Sequence, residues 1–333
     1  MKKHRFALMG LMVMFLATST AGWASDQKDN VDAIGNRKVA HRSIISEEKE
    51  IAMGKQYAEQ INRSAKIIKD PVINEYVNRV AQNLARNSDL KIPLTVTVID
   101  APDINAFALP GGFLYVQTGV LQAATEEDQI AGVMAHEIAH VAARHWASQM
   151  TKATILQYAM LPLLFTPMSV GVYYGVMEAY MNGVPMAFLK FSRDAESEAD
   201  FLGIQYMYKS GYDPNAYVAF FGKVLQEERS MPGSVPSVFA DHPPTGNRIL
   251  KAEQEIKTIL PQRHEYLVST SEFNDVKARL QTVMTMRRKL ERQENGPTLE
   301  KRKPTTTTTS SPNSQPSNTQ PDDEKPPVLQ RRD

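Results

Sequence analysis

The sequence predicts a mainly helical domain with one small β-sheet, an α+β fold, and three observations carry that reading. Segment after segment repeats apolar residues at helical spacing behind a capping residue, while only residues 94–117 show the alternation and β-branching of strands. The longest uncharged stretch, 154–177, is interrupted by Pro162, Pro167, Gly171 and Gly175, so it does not read as a membrane-spanning helix. The chain, at 333 residues, is long enough for one large domain or two ordinary ones. A net charge of +1 gives no argument for a nucleic-acid partner. The basic clusters Arg287-Arg288-Lys289 and Lys301-Arg302-Lys303 read as a solvated helix end and tail. The chain has no cysteine, which excludes disulfides and lipid attachment through a cysteine.

In chain order, Lys2, Lys3, His4 and Arg5 precede an apolar run over 6–17 and small residues at Gly22 and Ala24. Residues 1–24 thus read as a secretory signal peptide, and the mature protein is expected in an exported compartment, the periplasm. Residues 25–45 are a polar lead-in. Ser46 caps a helix with Glu47 and Glu48 in its first turn and a stripe of Ile51, Gly54, Ala58 and Ile61. Asp70-Pro71 opens a second, with Val72, Tyr76, Val77, Val80 and Leu84 on one face. Residues 94–99 and 113–117 read as a strand pair, with 105–112 between them. The outer edge of such a pair can bind an extended peptide through main-chain hydrogen bonds, and Asn105, Ala106 and Phe107 are the expected substrate-binding residues; a plain hairpin covering the next helix fits the pattern equally well.

A helix over 125–149 follows, capped by Thr125, with Ile130, Val133, Met134, Ile138 and Val141 as its buried stripe. Residues 153–189 are expected to form an apolar bent hairpin that covers the site or touches a membrane. Further helices are expected over 191–209, from Asp213-Pro214, from Thr245, and over 271–292, the last with a stripe of Phe273, Val276, Leu280, Val283 and Leu290. A short strand is expected at 266–270. Residues 295–333 are Thr, Ser, Pro, Gln and charge, too polar to order themselves, leaving one folded domain over 46–294.

The chemistry lies in His136, Glu137 and His140, the pattern HExxH. Four residues on a helix bring both imidazoles to one side, as ligands for one Zn²⁺, with Glu137 beside them as a carboxylate able to take a proton from water. A three-histidine site is not supported, because the glycine and histidine it needs at positions 143 and 146 are Ala143 and Trp146; His145 reads as a helix-end histidine. Of the downstream acids Glu178, Glu196, Glu198 and Asp200, the pair Glu196 and Asp200 shares one helical face, whereas Glu198 points roughly 160° away. The longer Glu196 is the expected third ligand and Asp200 the expected acceptor for the free N–H of His136. His242 and Arg248 are candidates for stabilising a tetrahedral oxyanion, and His242 is equally able to close the metal's open position.

HEIAH at 136–140, Ser192-Arg193 with Glu196, Glu198-Ala199-Asp200 and Gly203, Asn105-Ala-Phe-Ala-Leu-Pro-Gly-Gly112, and His242-Pro-Pro with Arg248 together resemble the zinc metallopeptidases that include the CaaX prenyl endopeptidases, HtpX and the Oma-type proteases. The sequence is similar to the exported bacterial branch of these enzymes, typified by the β-barrel assembly-enhancing protease. The resemblance covers about residues 46–290 and implies a gluzincin-type zincin domain, with zinc on His136, His140 and Glu196 and Glu137 as general base. It also implies misfolded or stalled envelope proteins as substrates and the outer-membrane assembly machinery as a partner. Members of that branch often carry a tetratricopeptide array, where this chain has its Thr- and Pro-rich tail. A second reading, a chaperone or assembly factor with a latched zinc site, is motivated by the uncharged stretch.

Overall fold

Ser46 accepts the N–H of Lys49 and opens α1 (Glu47–Ser64), with Glu47, Glu48 and Glu50 in the first turn. Asp70 accepts the N–H groups of Val72 and Ile73 to open α2 (Pro71–Arg86), with Pro71 where no N–H is needed. In the computed structural model, which describes residues 28–178, 181, 191–230 and 245–294, both helices stand where the caps place them. The buried face of α2 is Ile73, Tyr76, Val77, Val80, Ala81 and Leu84; Val72 is exposed, one position off the expected stripe.

Three strands, not two, form the sheet: β1 (Thr95–Ile99), β2 (Ala106–Leu109) and β3 (Phe113–Gln117), in the order β1-β3-β2. The expected pair 94–99 and 113–117 is parallel, with Thr95 opposite Phe113, so it is not a hairpin. The hairpin is β2 with β3, antiparallel, closed at Pro110-Gly111-Gly112, where Gly111 and Gly112 take φ of 78° and 85°. β2 is therefore an edge strand. The short helix α3 (Thr118–Ala123) leads from β3 towards the centre.

α4 (Glu127–Ala142) is buried on every side, as a helix with apolar residues all round must be. Its entry corrects the expected Thr125 cap. The capping position is Glu126, without a side-chain cap bond, and Thr125 instead exchanges hydrogen bonds with Gln129. Its end corrects the expected continuous helix to 149. Arg144 adopts left-handed φ and ψ of 55° and 41°, and α5 (His145–Met160) starts afresh. The Arg144 guanidinium donates to Glu50 Oε2 and Ile45 O, both at 2.8 Å, and these tertiary bonds hold a conformation that a non-glycine residue rarely takes.

A 3₁₀ turn (Leu161–Phe165) and α6 (Val170–Glu178) follow, and none of their residues is buried; the remainder of the expected lid, 179–180 and 182–190, lies outside the described residues. Among the described residues, no helix is long and apolar enough to cross a membrane. Ser192 caps α7 (Arg193–Lys209), which packs along α4. α8 (Asn215–Ser230) buries Phe220, Phe221 and Val224, α9 (Gly246–Ile259) is capped by Thr245, and α10 (Ser271–Glu294) buries Phe273, Val276, Leu280 and Met284 while Leu290 is exposed. The strand expected at 266–270 is a single bridge from Leu267 to Tyr212.

One core joins α2, the inner faces of the strands, α4, α7, α8 and α10, and it includes Val31, Ile34 and Val39 from the lead-in. This unit runs to Lys289. A second, Leu290–Asp333, is described only over 290–294, the last turn of α10.

Candidate metal centre

α4 carries His136 and His140 one turn apart, and both rings are buried, at 0% and 4% exposure. Their Nε2 atoms lie 3.1 Å apart. α7 lies against them because Gly203 leaves room: a Cβ there would stand 3.2 Å from the N and Cα of His136. That approach brings Glu196 to the histidines, with Oε2 3.6 Å from His136 Nε2 and Oε1 3.6 Å from His140 Nε2.

A tetrahedral ion with ligands about 2.0–2.1 Å away separates neighbouring ligand atoms by roughly 3.3 Å. Two imidazole nitrogens and a carboxylate at 3.1 and 3.6 Å fit that spacing, and these three residues can hold a metal ion. Glu137 is buried beside them, and its Oε2 accepts the backbone N–H of Ala108 at 3.1 Å. Gln117 N–H donates to Asn105 O, so hydrogen-bonded positions alternate along the hairpin and Ala108 turns its N–H outward, away from β3. The Ala108–Glu137 bond links the site helix to the edge strand packed against it.

The remaining ring nitrogen of His136, Nδ1, is 3.1 Å from Asp200 Oδ1. Asp200 is gripped in turn by Arg248, whose Nε and Nη2 donate at 2.7 and 2.6 Å, and by the Tyr217 hydroxyl. Arg248 Nη1 lies 3.0 Å from Glu196 Oε2. Burial opposes the charge on His136, but Asp200 and Glu196 outweigh it and push its pKa up to about 9. Burial likewise opposes the Asp200 carboxylate, and Arg248 with His136 still holds it down at about 2. Burial acts against the Arg248 charge as well, and Asp200 raises its pKa above the usual guanidinium range.

His140 has a different outer partner. Its Nδ1 is 2.9 Å from His145 Nδ1, and His145 Nε2 is 3.2 Å from Glu198 Oε2. Glu198 also accepts from His41 Nε2 at 2.6 Å and from Lys28 Nζ at 2.5 Å. Burial raises the Glu198 pKa, yet these three donors hold it well below the carboxylate range. Phe191 stacks on His140 with ring centroids 4.3 Å apart.

A model of peptidase family M48 matches residues 71–256, more than half of the chain, and spans both α4 and α7. The chain belongs to peptidase family M48. Within family M48 it is 29% identical over 278 residues to the β-barrel assembly-enhancing protease of Escherichia coli K12, covering 81% of this chain and 56% of that one. It is 33% identical over 227 residues to a putative β-barrel assembly-enhancing protease of Vibrio cholerae, covering 66% and 46%. Against the mitochondrial metalloendopeptidase OMA1 of Schizosaccharomyces pombe the identity is 34% over 182 residues, 54% of this chain and 52% of the other. The chain spans about half the length of these relatives.

Of the residues singled out in the sequence, His136, Glu137, His140, Glu196, Asp200 and Arg248 converge. His242 lies outside the described residues. Arg248 points its guanidinium at two acids, an arrangement the sequence did not suggest. Asn105 and Ala106 are buried, and Phe107 stacks on Tyr115 at 5.1 Å, so in β2 it is Ala108 that meets Glu137. Sequence reasoning missed Tyr217, His145, Glu198 and Phe191 as neighbours of the site. His145 had the one available signal, its place five residues after His140.

Proposed function

We propose that the protein is a zinc-dependent endopeptidase of the cell envelope, which degrades misfolded or stalled periplasmic and outer-membrane proteins. The observation that carries the reading is the convergence of three ligand atoms with a buried carboxylate that touches an edge strand. His136, His140 and Glu196 hold the ion, one per chain. When bound, zinc supplies Lewis acidity, which polarises a peptide carbonyl and lets water lose a proton near neutral pH. Glu137 accepts that proton as general base and passes it to the leaving amine nitrogen. An extended substrate lies along the edge strand, with Asn105, Ala106 and Phe107 as its binding residues and the Ala108 N–H kept by Glu137, so that the scissile bond lies over Glu137. Asp200 fixes the ring of His136, Arg248 holds both acids in place, and His242 is assigned either to oxyanion stabilisation or to closing the site.

The envelope location follows from the signal-peptide reading of residues 1–24, and the substrate class from similarity to proteases named for β-barrel assembly. The exposed apolar side chains Tyr158, Phe165, Val170 and Tyr174 favour a second activity, holding unfolded clients or resting on a membrane surface. The deciding experiment uses the purified protein and Glu137→Gln, with zinc content and casein cleavage measured on both. We expect one zinc per chain in each and cleavage lower by roughly 10²- to 10⁴-fold in the variant. Cleavage unaffected by the substitution would remove the endopeptidase assignment.

A further inference from the structure

Building on the zinc reading above, we propose that His145 and Glu198 are positioning residues for His140, joined in a relay of hydrogen bonds that fixes the ring's tautomer and orientation. The argument is one of donors and acceptors. His136 and His140 both turn Nε2 towards Glu196, so the metal takes the lone pair at each Nε2. A neutral imidazole that gives up its lone pair at Nε2 carries its hydrogen on Nδ1. For His136 that hydrogen goes to Asp200, at 3.1 Å.

For His140 it faces His145 Nδ1 at 2.9 Å. His145 must then accept at Nδ1, which leaves its own hydrogen on Nε2. That nitrogen is 3.2 Å from Glu198 Oε2, an acceptor. Every bond in the chain from His140 through His145 to Glu198 thus has one consistent assignment. A carboxylate two bonds away does for one histidine what Asp200 does directly for the other.

The backbone is built to hold this chain. The left-handed turn at Arg144 ends α4, so His145 returns against the ring of His140 instead of continuing round the helix. His41 donates its main-chain N–H to Ala143 O at 2.9 Å, next to that turn, and its ring to Glu198 at 2.6 Å. Glu198 sits on the face of α7 that Glu196 and Asp200 leave, so one helix serves both histidines.

A competing role for the same side chains is a second metal site, since ligand atoms of His41, His145 and Glu198 lie within 4.8 Å of one another. The two roles exclude each other. A metal on His145 Nε2 puts that ring's hydrogen on Nδ1, facing the Nδ1–H of a metal-loaded His140 at 2.9 Å, with no acceptor between them. The relay therefore requires one zinc per chain.

The test uses the whole chain in a Glu137→Gln background, which removes self-cleavage. Zinc affinity is measured by chelator competition for His145→Ala, Glu198→Ala and the double variant. Each single change should weaken zinc binding roughly 10- to 100-fold, and the double should be no worse than the weaker single, because both cut one chain. Nitrogen-15 spectra of the zinc-loaded parent give a readout that needs no variant to fold: His145 should carry its hydrogen on Nε2. An affinity unchanged within about threefold in both single variants overturns the proposal, as does hydrogen on His145 Nδ1 or a second zinc per chain. A parent that binds no zinc sinks the underlying reading, and the relay with it; one zinc bound with unaffected variants sinks the relay alone.

Discussion

Arg248 holds Asp200 with two parallel hydrogen bonds, Nε to Oδ2 at 2.7 Å and Nη2 to Oδ1 at 2.6 Å, while its Nη1 lies 3.0 Å from Glu196. The pair is almost dry, with side-chain exposures of 14% and 5%. Removing one partner of a buried pair strands the other charge, at a cost of about 3–5 kcal/mol. Arg248→Ala should therefore shift the urea midpoint of the metal-free protein down by a corresponding amount. Arg248→Lys keeps the charge but loses the planar fork, and should recover less than half of the loss. A midpoint unchanged in Arg248→Ala would mean that Asp200 is held by His136 and Tyr217 alone.

The approach of α7 to α4 at Gly203 sets the distance between Glu196 and the histidines. A methyl group there meets backbone atoms of His136 at 3.2 Å, and those atoms belong to a fully buried helix that has nowhere to move. Overpacking of this kind costs about 1–3 kcal/mol, while alanine gains about 1 kcal/mol of helix propensity over glycine, so stability is a weak readout. Displacement of Glu196 by a few tenths of an ångström is the larger consequence. Gly203→Ala should weaken zinc binding by about tenfold with a melting temperature within about 4 °C of the parent. Unchanged zinc affinity in chelator competition would show that α7 can slide without moving the ligand.

Much of this centre could be read from the sequence because its parts repeat at helical spacing. His136 with His140, and Glu196 with Asp200, are each four apart, and a helix turns that spacing into one face. The hairpin strand β2 escaped because Ala106-Phe-Ala-Leu109 contains no β-branched residue, although Pro110-Gly111-Gly112 is a turn signal. The break at Arg144 has no local signature. Its left-handed backbone is held by Glu50 and Ile45, about a hundred residues earlier, and such a contact leaves no pattern in a short window. With that turn unseen, His145 could not be placed against His140, and Glu198 appeared to point away from the chemistry.

Glu127 ties the start of the site helix to three other segments. Its carboxylate accepts hydroxyls from Tyr76 at 3.1 Å, Tyr212 at 2.9 Å and Thr270. Burial, followed by the neighbouring Glu127 charge, raises the pKa of both phenols, so all three groups remain donors at any working pH. Glu127→Ala leaves three hydroxyls without this acceptor, at about 1–3 kcal/mol for each that water cannot reach. We expect a loss of about 3–5 kcal/mol by urea denaturation, and a smaller loss for Glu127→Gln, whose single carbonyl oxygen can still accept. Equal losses in the two variants would show that the charge, not the hydrogen bonds, is what matters.

Asp128, the next residue, supplies a pH dependence with a definite sign. It is buried in the first turn of α4, where the helix dipole favours an acid. Burial, reinforced by Glu126, Asp213 and Glu127, nevertheless pushes its carboxyl from the ordinary 3.8 up to about 7. The folded protein then holds a proton that the unfolded chain releases, so this group's contribution falls as pH rises from about 4 to 7 and its penalty is complete above 7. Asp128→Asn removes the titration while keeping the shape. Its melting temperature should exceed the parent's by about 3 °C at pH 8, and the gain should shrink steadily as the pH is lowered to about 5. Thermal melts of the metal-free pair across that range decide it: a gain that grows towards acid pH would mean that Asp128 is ionised in the folded protein and stabilised by the helix dipole.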